Sequence, residues 1–234
     1  MCAVIGCVIK KPSKEDFALL KRVLLESKIR GMHATGISYL PNWKDGINSI
    51  IEPRPAHEFV FLHLHDDNLR SMVNEDGNLY LIAHCRYSTS DLEFNQPIYT
   101  KDKAIAHNGV ITQELPEKWK ELYGYDCVTK NDSELVLHSE DPLSEFPDMS
   151  MAVCSLTADK KLTAYRNGKR PIYLSKLDNG FMITSTSDIA IRSGLKNPEE
   201  LKMNHYYTID EAVNLTIKEV SIDGDDLQRV NNVS

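Results

Sequence analysis

Residues 151–186 read MAVCSLTADKKLTAYRNGKRPIYLSKLDNGFMITST. Four runs rich in apolar, β-branched and aromatic residues, MAVCSLT, LTAYRN, PIYLSKL and GFMITST, are separated by turn signals such as RNGK and LDNG. Runs of this kind read as strands, and connections this short join antiparallel neighbours, because a parallel crossover needs a dozen residues or more. The reading extends outward. NLTIKEV (214–220) follows as a strand, and AVIGCVI (3–9), ATGISYL (34–40), LYLIAHCRYS (79–88) and KAIAHNGVI (103–111) precede it. The last is expected to break at Asn108-Gly109, since Asn-Gly is a hairpin-turn dipeptide.

Helical patterns are fewer. Residues 11–31 read KPSKEDFALLKRVLLESKIRG. Ser13 stands as N-cap, Glu15 and Asp16 fall in the first turn, Phe17, Leu20 and Leu24 share a face, and Gly31 is the expected stop. Residues 56–73 also read as helix, with shorter helices expected over 117–123, 132–139 and 187–193. Strands outnumber helices and many neighbours are hairpin-connected. The expected class is therefore α+β with antiparallel sheets, not a doubly wound parallel sheet.

Composition narrows the function. The 234 residues are 41% hydrophobic and carry a net charge of −7. That suits a globular chain with a sizeable core, and it argues against nucleic acid or an anionic membrane as the main partner. The first lysines follow the apolar run instead of preceding it, and no apolar stretch approaches the ~18 residues that span a bilayer. A soluble, cytoplasmic protein is expected. Five cysteines at wide spacing, with no C-x-x-C, speak against a disulfide framework and a structural zinc site. His63 and His65 stand two apart, which on a helix are different faces, so no metal and no cofactor are expected.

Five short stretches carry chemistry. Cys2 opens a buried strand, where it is a small hydrophobe or, once Met1 is removed, a residue bearing both thiol and amine. Arg30-Gly31 makes a compact turn. Arg86, in AHCRYSTS (83–90), ends a strand and can grip a carboxylate or lie in a surface salt bridge. Asn108-Gly109 can turn the chain or offer two donors to an oxyanion. In NDSEL (131–135), Asp132 or Ser133 can cap a helix, or Asp132 can hold an ammonium.

Taken together and in this order, the N-terminal Cys, Arg-Gly turn, H-x-R-Y-S-T, H-N-G and D-S-E resemble the class II glutamine amidotransferase domain, an N-terminal-nucleophile (Ntn) hydrolase. AYRNGKRPIYLSKLDNGFMITSTSDIAI (164–191) is similar to the family's later stretch, so the resemblance covers the whole chain as one glutaminase domain, 1–234, with 223–234 as a loose polar tail. It implies a four-layer αββα sandwich with two packed, mainly antiparallel sheets. It also implies hydrolysis of the side-chain amide of L-glutamine to glutamate and ammonia through a Cys2 γ-glutamyl thioester.

The family's pattern assigns roles residue by residue. Cys2 attacks, and its own amine, with a pKa near ~8, accepts the thiol proton. Asn108 and Gly109 hold the oxyanion. Arg86 takes the substrate α-carboxylate with Thr89 beside it, and Asp132 takes the α-ammonium. Arg30 packs near Cys2, His107 supports the motif, and Gln96-Pro97 resembles a mobile loop over the pocket.

Three residues depart from the pattern. Ala3 stands in place of Gly and could crowd the pocket. His33 stands in place of an acid, and Cys85 in place of Thr, facing away from Arg86 into the core. No sequence remains for an ammonia-using domain. The ammonia therefore passes to a separate synthase subunit, or the chain is a stand-alone amidohydrolase. Either is compatible with an oligomer. Two other readings stay open: an amidohydrolase for another γ-glutamyl amide, and a catalytically silent domain that binds an amino acid or a partner.

Overall fold

The computed structural model describes residues 1–88 and 92–221. The described chain runs β1 (Ala3–Ile9), α1 (Lys14–Ser27), β2 (Ala34–Tyr39), β3 (Asn48–Glu52), α2 (Ala56–His63), α3 (Asp66–Ser71), β4 (Leu79–Arg86), β5 (Ile98–Tyr99) and β6 (Lys103–Val110). It continues α4 (Trp119–Tyr123), α5 (Ser133–His138), α6 (Pro142–Glu145), β7 (Ser150–Thr157), β8 (Lys161–Arg166), β9 (Tyr173–Leu177), β10 (Gly180–Thr184), α7 (Ser187–Ser193), β11 (Glu199–Glu200), β12 (His205–Ile209) and β13 (Leu215–Glu219).

The strands form two sheets. A seven-stranded sheet has the order β11-β9-β10-β1-β4-β2-β3, and a six-stranded sheet the order β13-β12-β8-β7-β6-β5. Every pairing is antiparallel. The hairpins inferred from residues 151–186 are the β7–β8 and β9–β10 pairs.

The layers follow from alternation along the central strands. All seven residues of β1 are buried. Ala3, Ile5, Cys7 and Ile9 enter a core that includes Leu20 and Leu24 of α1, Phe59 of α2, Leu69 of α3 and Ile189 of α7. Val4 and Val8 enter a second core, with Ala104 and Ala106 of β6 and Ala152 and Cys154 of β7. A strand buried on both faces has no polar side to alternate with, which is why this stretch is apolar throughout. The far face of the second sheet packs Ile105 and Val153 against Trp119 of α4, Leu135 of α5 and Leu143 of α6. The result is helices, sheet, sheet, helices: a four-layer αββα α+β sandwich.

Local chemistry sets several boundaries. Ser13 and Asp16 form a reciprocal capping box at the start of α1, a device worth ~1 kcal/mol. Helix α1 ends at Ser27, four residues short of the expected stop. Gly31 belongs instead to the following turn, where a Cβ would lie 2.4 Å from the Cys85 carbonyl oxygen and the Arg86 carbonyl carbon. The helix expected over 56–73 is two helices, parted at Leu64, whose ψ of 48° leaves the helical range. The strand expected to break at Asn108-Gly109 does not. Strand β6 runs through both residues, with Gly109 in register with Met151. The glycine answers a different need: a Cβ there would sit 1.7 Å from the Ser150 carbonyl oxygen. Strands β3, β5, β11 and β12 are short or polar and carry no strong pattern. The expected tail falls in 222–234, outside the described residues. No described helix is long and apolar enough to cross a membrane.

Candidate active site

A cleft of about 450 Å³ is lined by Cys2, Arg86, His107, Gly109 and Asp132, with Gln96, Asn131 and Ser133. Residues from Cys2 to Ser133 are gathered chiefly by four elements: the start of β1, the end of β4, β6, and α5 packed beside it. Thr89 lies outside the described residues.

Strand β6 supplies the centre. The His107 N–H leaves the strand on the side away from β7 and meets Gln96 Oε1 at 2.6 Å. The Ile111 N–H does the same and meets Asp132 Oδ2 at 2.6 Å. Amide direction repeats every two residues, so the Gly109 N–H points the same way, between two satisfied neighbours and toward the cleft.

The Asn108 side chain reaches Cys2. Its Oδ1 accepts the Cys2 N–H at 3.3 Å. Cys2 N can only donate in this bond, which fixes the amide's orientation and leaves Nδ2 as the donating end. That Nδ2 is buried and has no partner among the described residues. An unmet buried donor costs ~1–3 kcal/mol, and such groups in a folded protein call for an explanation.

Cys2 is half-buried. Its thiol is 3.9 Å from the Tyr87 carbonyl oxygen, and its own carbonyl accepts from Arg30 Nε at 3.0 Å. Met1 is 64% exposed. Its sulfur lies 3.5 Å from Arg30 Nη2 and 3.6 Å from Arg170 Nη1. Sequence reasoning did not single out Arg170, whose Nε is fixed by Ser150 Oγ at 3.0 Å.

His107 is a fixed, neutral scaffold. Burial lowers its pKa most strongly. Nε2 faces the Ser150 carbonyl at 3.2 Å, which can only accept, so Nε2 carries the proton. Nδ1 then accepts from Ser133 Oγ at 2.8 Å, and Ser133 Oγ accepts from Gln96 Nε2 at 3.0 Å. Every donor in this chain finds an acceptor. Gln96 is 7% exposed and bonded at both ends of its amide. In this structure it is a strut between β6 and α5. The only hint in the sequence was a polar residue ahead of Pro97.

Asp132 heads α5 but makes no side-chain cap bond. Asn131 Oδ1 takes the Ser133 N–H at 3.1 Å. The Asp132 carboxylate turns to β6 instead and accepts from Ile111 and Thr112 N–H at 2.6 and 3.2 Å, both through Oδ2. Arg86 Nη1 donates to the Phe94 carbonyl and to Asn95 Oδ1, at 2.9 and 2.8 Å.

The departures find structural reasons. The Ala3 methyl lies in the core beneath α1, not in the cleft. Cys85 is in the same core, and burial pushes its thiol up to about 12. His33 Nδ1 accepts the Ser88 N–H at 2.8 Å, a task that a carboxylate oxygen can also perform. His63 and His65 stand on either side of the α2–α3 break, far along the chain from the cleft residues. Among the described residues, Cys127, Glu134 and His138 do bring three metal-ligating atoms together, outside the cleft.

No family model and no curated protein sequence matches the chain. Solved structures do. Glutamine phosphoribosylpyrophosphate amidotransferase from B. subtilis superposes with a TM-score of 0.69 at 17% identity, over 95% of this chain and 50% of that one. The fold is that of class II glutamine amidotransferase domains. A structure described as the allosteric regulatory enzyme of purine biosynthesis gives 0.71 at 18% identity, again over 95% and 50% of the two chains. A glutamine aminotransferase class-II domain protein from Silicibacter pomeroyi gives 0.55 at 12% identity, over 94% of this chain and all of that one. The chain thus spans half the length of the first two and the full length of the third. At such identities the likeness is one of fold, and the chemistry rests on the residues in the cleft.

Proposed function

We propose that this chain hydrolyses the side-chain amide of glutamine, with Cys2 as nucleophile after removal of Met1. The observation that carries the reading is the pair of donors opposite Cys2: the orphaned Asn108 Nδ2, and a Gly109 N–H that alternation turns to the cleft. Donors fixed in advance cost no reorganisation when negative charge develops, and each is worth ~3 kcal/mol of barrier.

Cys2 N is an amide nitrogen while Met1 is attached and cannot take a proton. Freed, it becomes an amine one residue's width from its own thiol, so little ordering is needed to bring base and nucleophile together. The exposed Met1 and the small residue after it suit an aminopeptidase. The amine accepts the thiol proton as sulfur bonds to the amide carbon. The carbonyl oxygen then takes negative charge between Asn108 and Gly109. The amine returns the proton to the departing nitrogen, which leaves as ammonia, and a γ-glutamyl thioester remains. Water adds to that thioester, giving its proton to the same amine. The thiolate leaves, is reprotonated, and glutamate is released.

Asp132 spends one oxygen on β6, and the other suits an α-ammonium. Arg86, across the cleft on β4, suits the α-carboxylate. Two opposite charges select a free amino acid over a glutamine within a peptide. Arg30 holds the Cys2 carbonyl and so orients the nucleophile. The ammonia goes to a separate synthase subunit or to solvent.

Intact mass and ammonia release from glutamine test the proposal together. The mature protein is expected to lack Met1 and to turn over glutamine. Cys2→Ala should abolish turnover, and Arg86→Ala should raise KM for glutamine more than it lowers kcat. Full activity in Cys2→Ala would end the reading. A retained Met1 with no turnover would favour a silent binding domain.

A further inference from the structure

The far side of α5 from the cleft carries a second constellation. Cys127 Sγ, a Glu134 carboxylate oxygen and a His138 ring nitrogen all lie within 4.8 Å of one another. We propose that these three side chains bind a divalent transition-metal ion of the zinc class.

One edge of the triangle has the right length before any ion is placed. Glu134 and His138 are one helical turn apart on α5 and so share a face. Glu134 Oε1 and His138 Nε2 are 3.4 Å apart. That is long for a charge-assisted hydrogen bond, which closes to ~2.7–2.9 Å. It matches the ~3.4 Å edge of a tetrahedron whose bonds are ~2.0–2.1 Å long, the values for nitrogen and oxygen on zinc.

The surroundings hold the donors in place. Glu134 is 2% exposed. Its Oε1 accepts the Val128 N–H at 2.9 Å, and its Oε2 accepts the Thr129 N–H and Oγ1, both at 2.6 Å. These bonds orient the carboxylate, as outer-shell partners of a metal ligand do. They also dock the two residues after Cys127, which keeps the thiol within 4.8 Å of the carboxylate. Tyr125 stacks on the His138 ring, with centroids 5.8 Å apart and planes 21° apart, and its hydroxyl is pinned to Glu145 Oε2 at 2.6 Å.

One sulfur, one nitrogen and one oxygen donor suit a borderline ion such as zinc, and do not suit calcium or magnesium, which take oxygen sets. The His138 side chain is 33% exposed, so the fourth position falls to water. Such an ion would staple the 127–129 loop to α5. That loop runs on into Lys130 and Asn131, which line the cleft.

The test is zinc content and cobalt absorption in a Cys2→Ala background. Cys2 would otherwise chelate metal through its own thiol and amine, and the background also makes the result independent of glutamine turnover. The protein is stripped with chelator, exposed to zinc chloride and desalted. Stoichiometric zinc is expected in Cys2→Ala, and its loss in both Cys2→Ala/Cys127→Ser and Cys2→Ala/His138→Gln. His138 is partly exposed, so its variant should fold as the parent does, which circular dichroism checks. Cobalt should give a thiolate charge-transfer band that the Cys127→Ser variant lacks. No zinc in Cys2→Ala, or zinc retained in both double variants, would overturn the proposal.

Discussion

Asn108 and Gly109 are adjacent, yet the fold asks different things of them. The Asn108 amide touches Cys2 through oxygen and leaves its nitrogen unmet among the described residues. Asn108→Ala removes that donor together with the acceptor of the Cys2 N–H. We expect kcat to fall ~100-fold, a barrier increase of ~3 kcal/mol, with the melting temperature lowered by no more than the loss of that one part-buried bond. Steady-state kinetics beside a thermal melt checks this, and an unaltered kcat would remove Asn108 from the oxyanion. Gly109 cannot be probed in the same way. A Cβ at 1.7 Å from the Ser150 oxygen forces the β6–β7 ladder apart, so a loss of activity there would report folding. The dipeptide reads as a hairpin turn from sequence because Asn-Gly most often is one. What the sequence cannot display is the neighbouring strand that occupies the space of a side chain.

Strands β4 and β6 each carry a buried histidine, His84 and His107. Burial, the neighbouring His107 and the Arg86 charge push His84 down to about 3, and burial lowers His107 as well. Both ring nitrogens of His84 are buried without a hydrogen-bond partner among the described residues. The unfolded chain binds a proton to His84 near pH ~6.5, whereas the folded chain resists it until about 3. Between those values the unfolded state holds more protons, so stability falls as pH falls. His84 alone gives a slope of up to ~1.4 kcal/mol per pH unit. Above pH ~6.5 its contribution is complete and flat. Urea unfolding of wild type and His84→Asn from pH 7 to pH 4 checks this, with a shallower acid slope expected in the variant. Identical slopes would assign the acid loss to the carboxylates. The helical elements show a related division. The Ser13 cap was readable because its partner lies within one turn, whereas the Asp132 carboxylate reaches across to the backbone just past β6, 20 residues earlier.

Across the whole molecule the two sheets approach closely because small residues meet between them. Gly6 on β1 faces the second sheet, and a Cβ there would already stand 3.0 Å from Cys154 Sγ and 3.1 Å from Ile183 Cδ1. Gly6→Val must part the layers or push side chains off their rotamers, at a cost of ~1–3 kcal/mol. A lower urea midpoint is the expected result, and an unchanged one would show slack between the sheets that this packing does not allow. Separation matters for chemistry too, since Cys2 hangs from one sheet and Asn108 from the other. The sequence by itself determined the local events: the antiparallel hairpins after 150, the capped α1, the apolar β1 and the short stretches from which the candidate cleft residues come. These follow from side-chain period and turn chemistry within a few residues. Only the tertiary structure decided that Asn-Gly continues a strand, that Gln96 is a strut, that Asp132 turns from its own helix to β6, and that a Cys-Glu-His group gathers behind α5. Each of these depends on which backbone lies within hydrogen-bond reach after the sheets have packed, and a one-dimensional pattern holds no record of that distance.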